Sequence, residues 1–318
     1  NSSFSGIYNQ LVYVYYATSP KFLYNTFTGG SYIYGESLYL GQVNATATSV
    51  TKINGNKFIK SADAAIYAYA VDGYSSTVRN EMFNNVIQGD FTSTSPYPCY
   101  MSSSDRWNIY HNTIAMNVNY TSTLGANIYL GSANNIDLQN NTFIRTSGGY
   151  YLYGTSTSAT NEAYNNFYAN SGTPTYTFGG SSSAASTSVN VHQGWASLSD
   201  LKTKDGCVNG ANLTSTVSED INGNTRNNPP DIGAFEVSSG NNDAGVVEIT
   251  SPSTPLSSGS QTVTLKIKNF GANNISSVTL GYKVGTSTAV TQTFTLSSTL
   301  APCDETSLTF TTGFSVSS

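Results

Sequence analysis

Along the first 170 residues, apolar and polar positions repeat one short phrase: an apolar residue, two variable residues, an asparagine, one variable residue and a second apolar residue. The copies are Phe22-x-x-Asn25-x-Phe27, Ile53-x-x-Asn56-x-Phe58, Met82-x-x-Asn85-x-Ile87, Ile109-x-x-Asn112-x-Ile114, Leu138-x-x-Asn141-x-Phe143 and Ala163-x-x-Asn166-x-Tyr168. Successive asparagines lie 31, 29, 27, 29 and 25 residues apart, so one supersecondary unit is stacked with small insertions between its turns. Asparagine accepts left-handed backbone angles and bonds to nearby backbone groups, which suits a sharp bend between two short strands. When coils stack at the strand spacing of about 4.8 Å, the bend asparagines line up as a buried amide ladder and the flanking apolar residues line a continuous core.

A further run in each coil alternates apolar residues with tyrosine: Val12-Tyr13-Val14, Leu38-Tyr39-Leu40, Ile66-Tyr67-Ala68, Cys99-Tyr100-Met101, Ile128-Tyr129-Leu130, Tyr151-Leu152-Tyr153 and Tyr176-Thr177-Phe178. Such runs, bounded by Gly, Ser and Thr, read as strands, and the 3.6-residue period of a helix is missing. The expected class is all-β, with a parallel β-helix of about six to seven coils over residues 1–180.

After residue 180 the pattern changes twice. A Ser/Ala/Thr stretch at 181–188 leads to Trp195 and to a segment at 196–201 able to form one helical turn. Then come Asp220-Ile221-Asn222-Gly223-Asn224-Thr225-Arg226 and Asp231-Ile232-Gly233-Ala234-Phe235-Glu236. Residues 181–237 are expected to cap the stack, with Ile232, Ala234 and Phe235 plugging its bare end and Arg226, Asp231 and Glu236 pairing around the rim. A linker at 238–243 precedes runs at 263–267, 278–284, 290–296 and 308–310 that alternate at period two, the pattern of an immunoglobulin-like β-sandwich over 244–318. About five strands fit where such a sandwich has about seven, so an incomplete sandwich from a longer chain is expected.

The D-x-x-G-x-x-R stretch at 220–226 followed by D-I-G-A-F-E at 231–236 resembles the closing segment of right-handed parallel β-helix proteins exported to the surface of bacteria, many of them Bacteroidota-like. Residues 243–249 and 263–271 resemble the adhesion-type sandwich modules found in tandem on large bacterial surface proteins. The first resemblance spans residues 1–237 and implies a right-handed coil sense and an extracellular or cell-surface location, while saying little about activity. The expected role is a non-catalytic structural, adhesive or filament-forming module. A polysaccharide lyase or glycosidase, or a carbohydrate-binding module on the same scaffold, is the alternative.

Composition narrows the partners. Only 10% of residues are charged, the net charge is −5 and the pI is near 4.9, which disfavours a nucleic-acid partner and leaves a surface of Ser, Thr, Asn, Gly and Tyr. That low-charge, hydroxyl-rich make-up suits a secreted protein whose partners are surface glycans or neighbouring copies of itself. No apolar run reaches the ~18 residues of a membrane span. Cys99, Cys207 and Cys303 are scattered and odd in number, which is neither a disulfide framework nor a zinc set. Sequons at Asn44, Asn119, Asn140, Asn212 and Asn274 carry little weight in an Asn-rich chain.

Enzymes on β-helix scaffolds need clustered carboxylates, whereas Asp63, Asp72, Glu81, Asp90, Asp105 and Asp137 come singly. The best catalytic constellation, Arg79 and Glu81 with Asp105, Arg106 and His111, reads more readily as surface ion pairing across adjacent coils. His192 beside Trp195 reads as a cap residue. No cofactor is expected, and the one calcium candidate, Asp220, Asn222 and Asn224, has its glycine misplaced and lacks the closing glutamate of a calcium loop. A binding surface has more support. The rows Leu23, Asn54, Phe83, Tyr110, Gln139, Tyr164 and Tyr24, Gly55, Asn84, His111, Asn140, Asn165 should face outward, and Phe83, Tyr110, His111, Gln139, Asn140 and Tyr164 are the candidate ligand contacts, set against simple aromatic stacking for stability.

Overall fold

The computed structural model describes residues 1–6, 9–30, 35–89, 91, 96–116, 125–146, 148–155, 161–171, 175–190, 193, 195, 197, 200–202, 217–237, 242–271 and 273–316. Asp90, His192, Cys207, the sequons at Asn119 and Asn212, and most of the 238–243 linker lie outside the described residues. Two compact units divide the chain between Glu236 and Val237.

The first unit is a parallel β-solenoid. Its first sheet stacks the strands that follow each bend: Ser3–Ser5, Thr26–Thr28, Lys57–Ile59, Val86–Gln88, Thr113–Met116, Thr142–Arg145 and Asn166–Ala169. A second sheet stacks the tyrosine runs, Gln10–Tyr15, Glu36–Asn44, Ala64–Asp72, Cys99–Ser102, Ala126–Gly131, Tyr150–Gly154 and Thr175–Thr177. The third stacks the strands that precede each bend, Lys21–Leu23, Lys52–Asn54, Asn80–Phe83, Trp107–Tyr110, Ile136–Gln139 and Asn161–Ala163. Period-two alternation sends Phe27, Phe58, Ile87, Ile114 and Phe143 inward from the first sheet, Leu38, Ile66, Ile128 and Leu152 from the second, and Ile53, Met82, Ile109 and Leu138 from the third, into one shared core.

The amide ladder is present, with one shift of register. Asn25, Asn56, Asn85, Asn112 and Asn141 each donate from Nδ2 to the Oδ1 of the next rung at 2.9–3.2 Å, and the last acceptor is Asn165 rather than the expected Asn166. Asn166 instead opens the next strand, and Gln139 pairs with Ala163, so the final coil is one residue shorter than the repeat phrase implied. The left-handed angles also sit one residue earlier than expected. Tyr24, Gly55, Asn84, His111, Asn140 and Tyr164 have φ between 54° and 71°, and each turns the chain so that the following asparagine points inward.

The stretch expected to cap the stack divides into two parts. The end of the stack is met by the stretch after residue 180, where Val189 bridges Asn166 in parallel and its carbonyl accepts from the Phe167 N–H at 2.9 Å. Of the stretch expected to turn helically, Ser197 and Asp200 form an antiparallel bridge. The closing segment runs along the flank of the first sheet. Ile221, Ala234 and Phe235 pack with Trp195 and Leu201 on the outward side chains Val86, Ala115 and Ile144. That outer face is apolar, so it needs a cover as much as the stack's end does. Arg226 and Glu236 do pair, at 3.0 Å and with 3% of each side chain exposed, and Arg226 also donates to the Asp231 and Gly233 carbonyls.

Among the described residues, the second unit has seven strands in three small antiparallel sheets, consistent with an incomplete β-sandwich: Ala244–Ser251, Thr264–Asn269 and Glu305–Thr309; Gly259–Gln261 and Phe314–Val316; Ile275–Tyr282 and Val290–Leu300. The two short strands and Ala244–Ser251 make the count larger than the alternating runs suggested. Val263, Leu265, Phe294 and Phe310 form its core.

Candidate functional site

Three surfaces of the solenoid unit carry the conspicuous side chains. On the outer face of the third sheet, Asn54, Phe83, Tyr110 and Gln139 occupy matching positions on successive strands. Phe83 and Tyr110 stack with ring centroids 5.2 Å apart. The Tyr110 hydroxyl donates to Asp137 Oδ2 at 2.7 Å, and Gln139 Nε2 and Asn161 Nδ2 donate to Asp137 Oδ1 at 2.6 and 3.1 Å. Burial, then the hydrogen bond to Asp137, pushes the Tyr110 phenol well above its ordinary range, which keeps it a proton donor to that carboxylate.

The catalytic constellation weighed from sequence, Arg79 and Glu81 with Asp105, Arg106 and His111, does not converge. Glu81 pairs with Lys52 at 2.7 Å and accepts from Asn54. Asp105 accepts from the Asn134 backbone and side chain, and Arg106 donates to the Gly73 carbonyl. Arg79 donates to the Trp107 and Asn135 carbonyls, and burial holds its guanidinium below the ordinary arginine value. Among the described residues no three His, Cys, Asp or Glu side chains gather to hold a metal ion. At the calcium candidate, Asp220 Oδ1 accepts the backbone N–H groups of Asn222 and Asn224, while Oδ2 accepts from Asn224 Nδ2 and the Glu236 N–H, at 2.8–3.1 Å throughout. Asp220 thus serves as the nucleus of an Asx turn that ties the closing segment together.

Of the six residues expected to contact a ligand, Phe83, Tyr110 and Gln139 lie half-buried on the open third-sheet face, and Tyr164 is the half-buried bend residue of the last full coil. His111 and Asn140 are fully buried beneath the closing segment. Asn140 Nδ2 lies 3.1 Å from His111 Nε2, the Gly233 N–H donates to the Asn140 carbonyl, and Arg226 Nη2 donates to Asn84 Oδ1. The middle of this bend row, Asn84, His111 and Asn140, therefore seats the chain's own closing segment. Burial, then the nearby Arg226 charge, holds the His111 imidazole well below its usual value, so it is neutral.

The third surface escaped the sequence reading. Tyr13, Tyr39, Tyr67, Tyr100, Tyr129 and Tyr153 stack ring on ring up the outer face of the second sheet, with centroid spacings of 4.8, 5.1, 4.5, 4.7 and 5.7 Å. The signal was present, because tyrosine flanked on both sides by core residues must point outward. Interior rings show a ligand their edges and hydroxyls, since both faces are covered by neighbours.

Two cavities lie among the described residues near these surfaces. One of about 680 Å³ lies at the end of the stack, lined by Tyr150, Tyr151, Phe167, Tyr176 and the serines 182, 183 and 188. The other, about 390 Å³, lies where the closing segment meets the first sheet, between Lys57, Val86, Lys202 and Phe235. Comparison with family models, with curated proteins and with solved structures gave no match to this chain.

Proposed function

We propose that this chain is a non-catalytic structural and adhesive module of an exported, surface-exposed protein, in which the solenoid is a rigid element presenting a low-charge, tyrosine- and amide-rich surface. The observation that carries this reading is the double ladder. Almost every repeated polar or aromatic side chain is committed to its counterpart one coil away, six asparagines inside and six tyrosines outside. Chemistry needs side chains that converge on one point, whereas these repeat along a line, which suits spanning a distance and making many weak contacts. The low charge and the resemblance of the closing segment and sandwich to bacterial surface modules support an extracellular setting.

A second reading, a carbohydrate-binding module, is favoured by the Phe83–Tyr110 pair beside the hydrogen-bonded Asp137–Gln139 group, since exposed ring edges with adjacent amide and carboxylate groups match sugar hydroxyls. The test coats beads with the chain and mixes them with one another and with a panel of insoluble and soluble polysaccharides. Clustering of beads without release of reducing or unsaturated sugar products is expected. Product release would overturn the non-catalytic reading. Binding to one polysaccharide with no bead clustering would replace adhesion by glycan recognition.

A further inference from the structure

The 390 Å³ cavity between the closing segment and the first sheet falls in the size range of small-ligand sites, roughly 300–1,000 Å³. Its floor is apolar: Val86, Leu201 and Phe235 are 4%, 2% and 8% exposed. Its rim carries Lys57 from the first sheet and Lys202 from the stretch leading to the closing segment, with the amide of Asn222 beside them. Both lysines are exposed. The ion pairs among the described residues join Lys52 to Glu81, Arg226 to Glu236, and Lys266 to Glu248 and Glu305, and neither rim lysine takes part. In a chain with a net charge of −5, a rim of two lysines and one aspartate, Asp200, over an apolar floor carries a small local excess of positive charge.

We infer that this cavity binds a carboxylate-bearing monosaccharide unit, a uronate. One face of a sugar ring is apolar C–H and fits the Val86–Phe235 floor, the carboxylate meets Lys57 and Lys202, and ring hydroxyls meet Asn222 and Asp200. Asp200, also on the rim, accepts the Lys202 N–H at 3.4 Å. Its negative charge disfavours a ligand charged all round, such as a polyphosphate, and selects one with a single anionic end. The inference goes beyond the adhesive reading and is measured on soluble sugars, so either can fail alone.

The test titrates the whole 318-residue chain with sodium glucuronate, glucose and sodium acetate, followed by calorimetry and ligand-detected NMR. Saturable glucuronate binding is expected, about tenfold tighter than glucose or acetate, and weakening as salt is raised. Lys57→Gln or Lys202→Gln should each weaken it about fivefold, and the double variant should abolish it with an unchanged melting temperature, since both side chains are exposed. Failure to saturate, equal affinity for glucose or acetate, or full affinity in the double variant would overturn the inference.

Discussion

Asn112 and Tyr100 belong to the same coil and stack on their counterparts with the same period, one inside the solenoid and the other outside. Asn112 accepts from both the backbone and the side chain of Asn85 and donates to Asn141 and to the Met82 carbonyl, all at 2.8–2.9 Å and away from water. Tyr100 stacks between Tyr67 and Tyr129 with its ring half-exposed. A buried amide has no alternative to its neighbours, whereas a half-wet ring can exchange a neighbour for solvent. Both ladders have six rungs and stop at the same coil, the inner one where Ser188 Oγ accepts from the Asn165 N–H and the outer one where Thr177 takes the position opposite Tyr153, so the difference lies in the surroundings of the rungs and not in their number.

That contrast is broken most directly at Asn112. Asn112→Ala leaves the Asn85 N–H without its acceptor and takes one bond each from Asn85 Nδ2, Asn141 Oδ1 and the Met82 carbonyl; at about 1–3 kcal/mol for the unsatisfied N–H and about 0.5–1.5 kcal/mol for each further bond it should lower stability by about 4 kcal/mol, read from urea unfolding. Next comes Gly233→Ala in the closing segment. Gly233 has φ +100°, and a methyl group there would lie 2.8 Å and 2.9 Å from the Thr142 and Thr113 hydroxyls. A loss of about 2–3 kcal/mol is expected, larger than for alanine at an unstrained surface glycine. The outer ladder should yield less. Tyr100→Thr removes two stacks worth about 0.5–1.5 kcal/mol each, a loss of about 1–2 kcal/mol after partial relaxation, and a loss equal to that of Asn112→Ala would erase the contrast.

The smallest effect is a pH slope. His111 is neutral in the fold, with its imidazole held below its ordinary 6.5 by burial, so below about pH 6.5 protons bind the unfolded chain preferentially. Its contribution to stability therefore falls as pH is lowered from there, by at most about 1.4 kcal/mol per pH unit. The difference in stability between the wild type and His111→Gln, measured from pH 7.5 to 5.5, should show this slope, and parallel curves would count against it.

Much of the solenoid was legible because its signals are local. Asparagine spacing and tyrosine alternation follow from bends and period-two strands, and both ladders descend from them. The misreadings arose where long-range packing decides. Asn165 and Asn166 are chemically identical, and only strand pairing shows which one faces the core. Arg145, 1% exposed and held by the Gly148 and Tyr150 carbonyls and the Met116 sulfur, occupies an inward position that alternation assigns to an apolar residue. His111 and Asn140 sit in a row that is solvent-facing by local rule, and the closing segment around Gly233, far later in the chain, buries them. Lys57 and Lys202 meet at one rim for the same reason, and no spacing rule links them.

A stack of coils that touch only their neighbours behaves as a linear chain of units, free to fray from either end. The closing segment removes that freedom over its span. It holds Asn84, Thr113, Asn140 and Thr142 at once, side chains and carbonyls belonging to successive coils. None of those coils can open without releasing the strap, and releasing the strap bares the apolar flank of all of them. The middle of the solenoid is thereby converted from a series of small independent steps into a single cooperative unit, whose amide protons should exchange through one common opening while those of the first coils exchange faster.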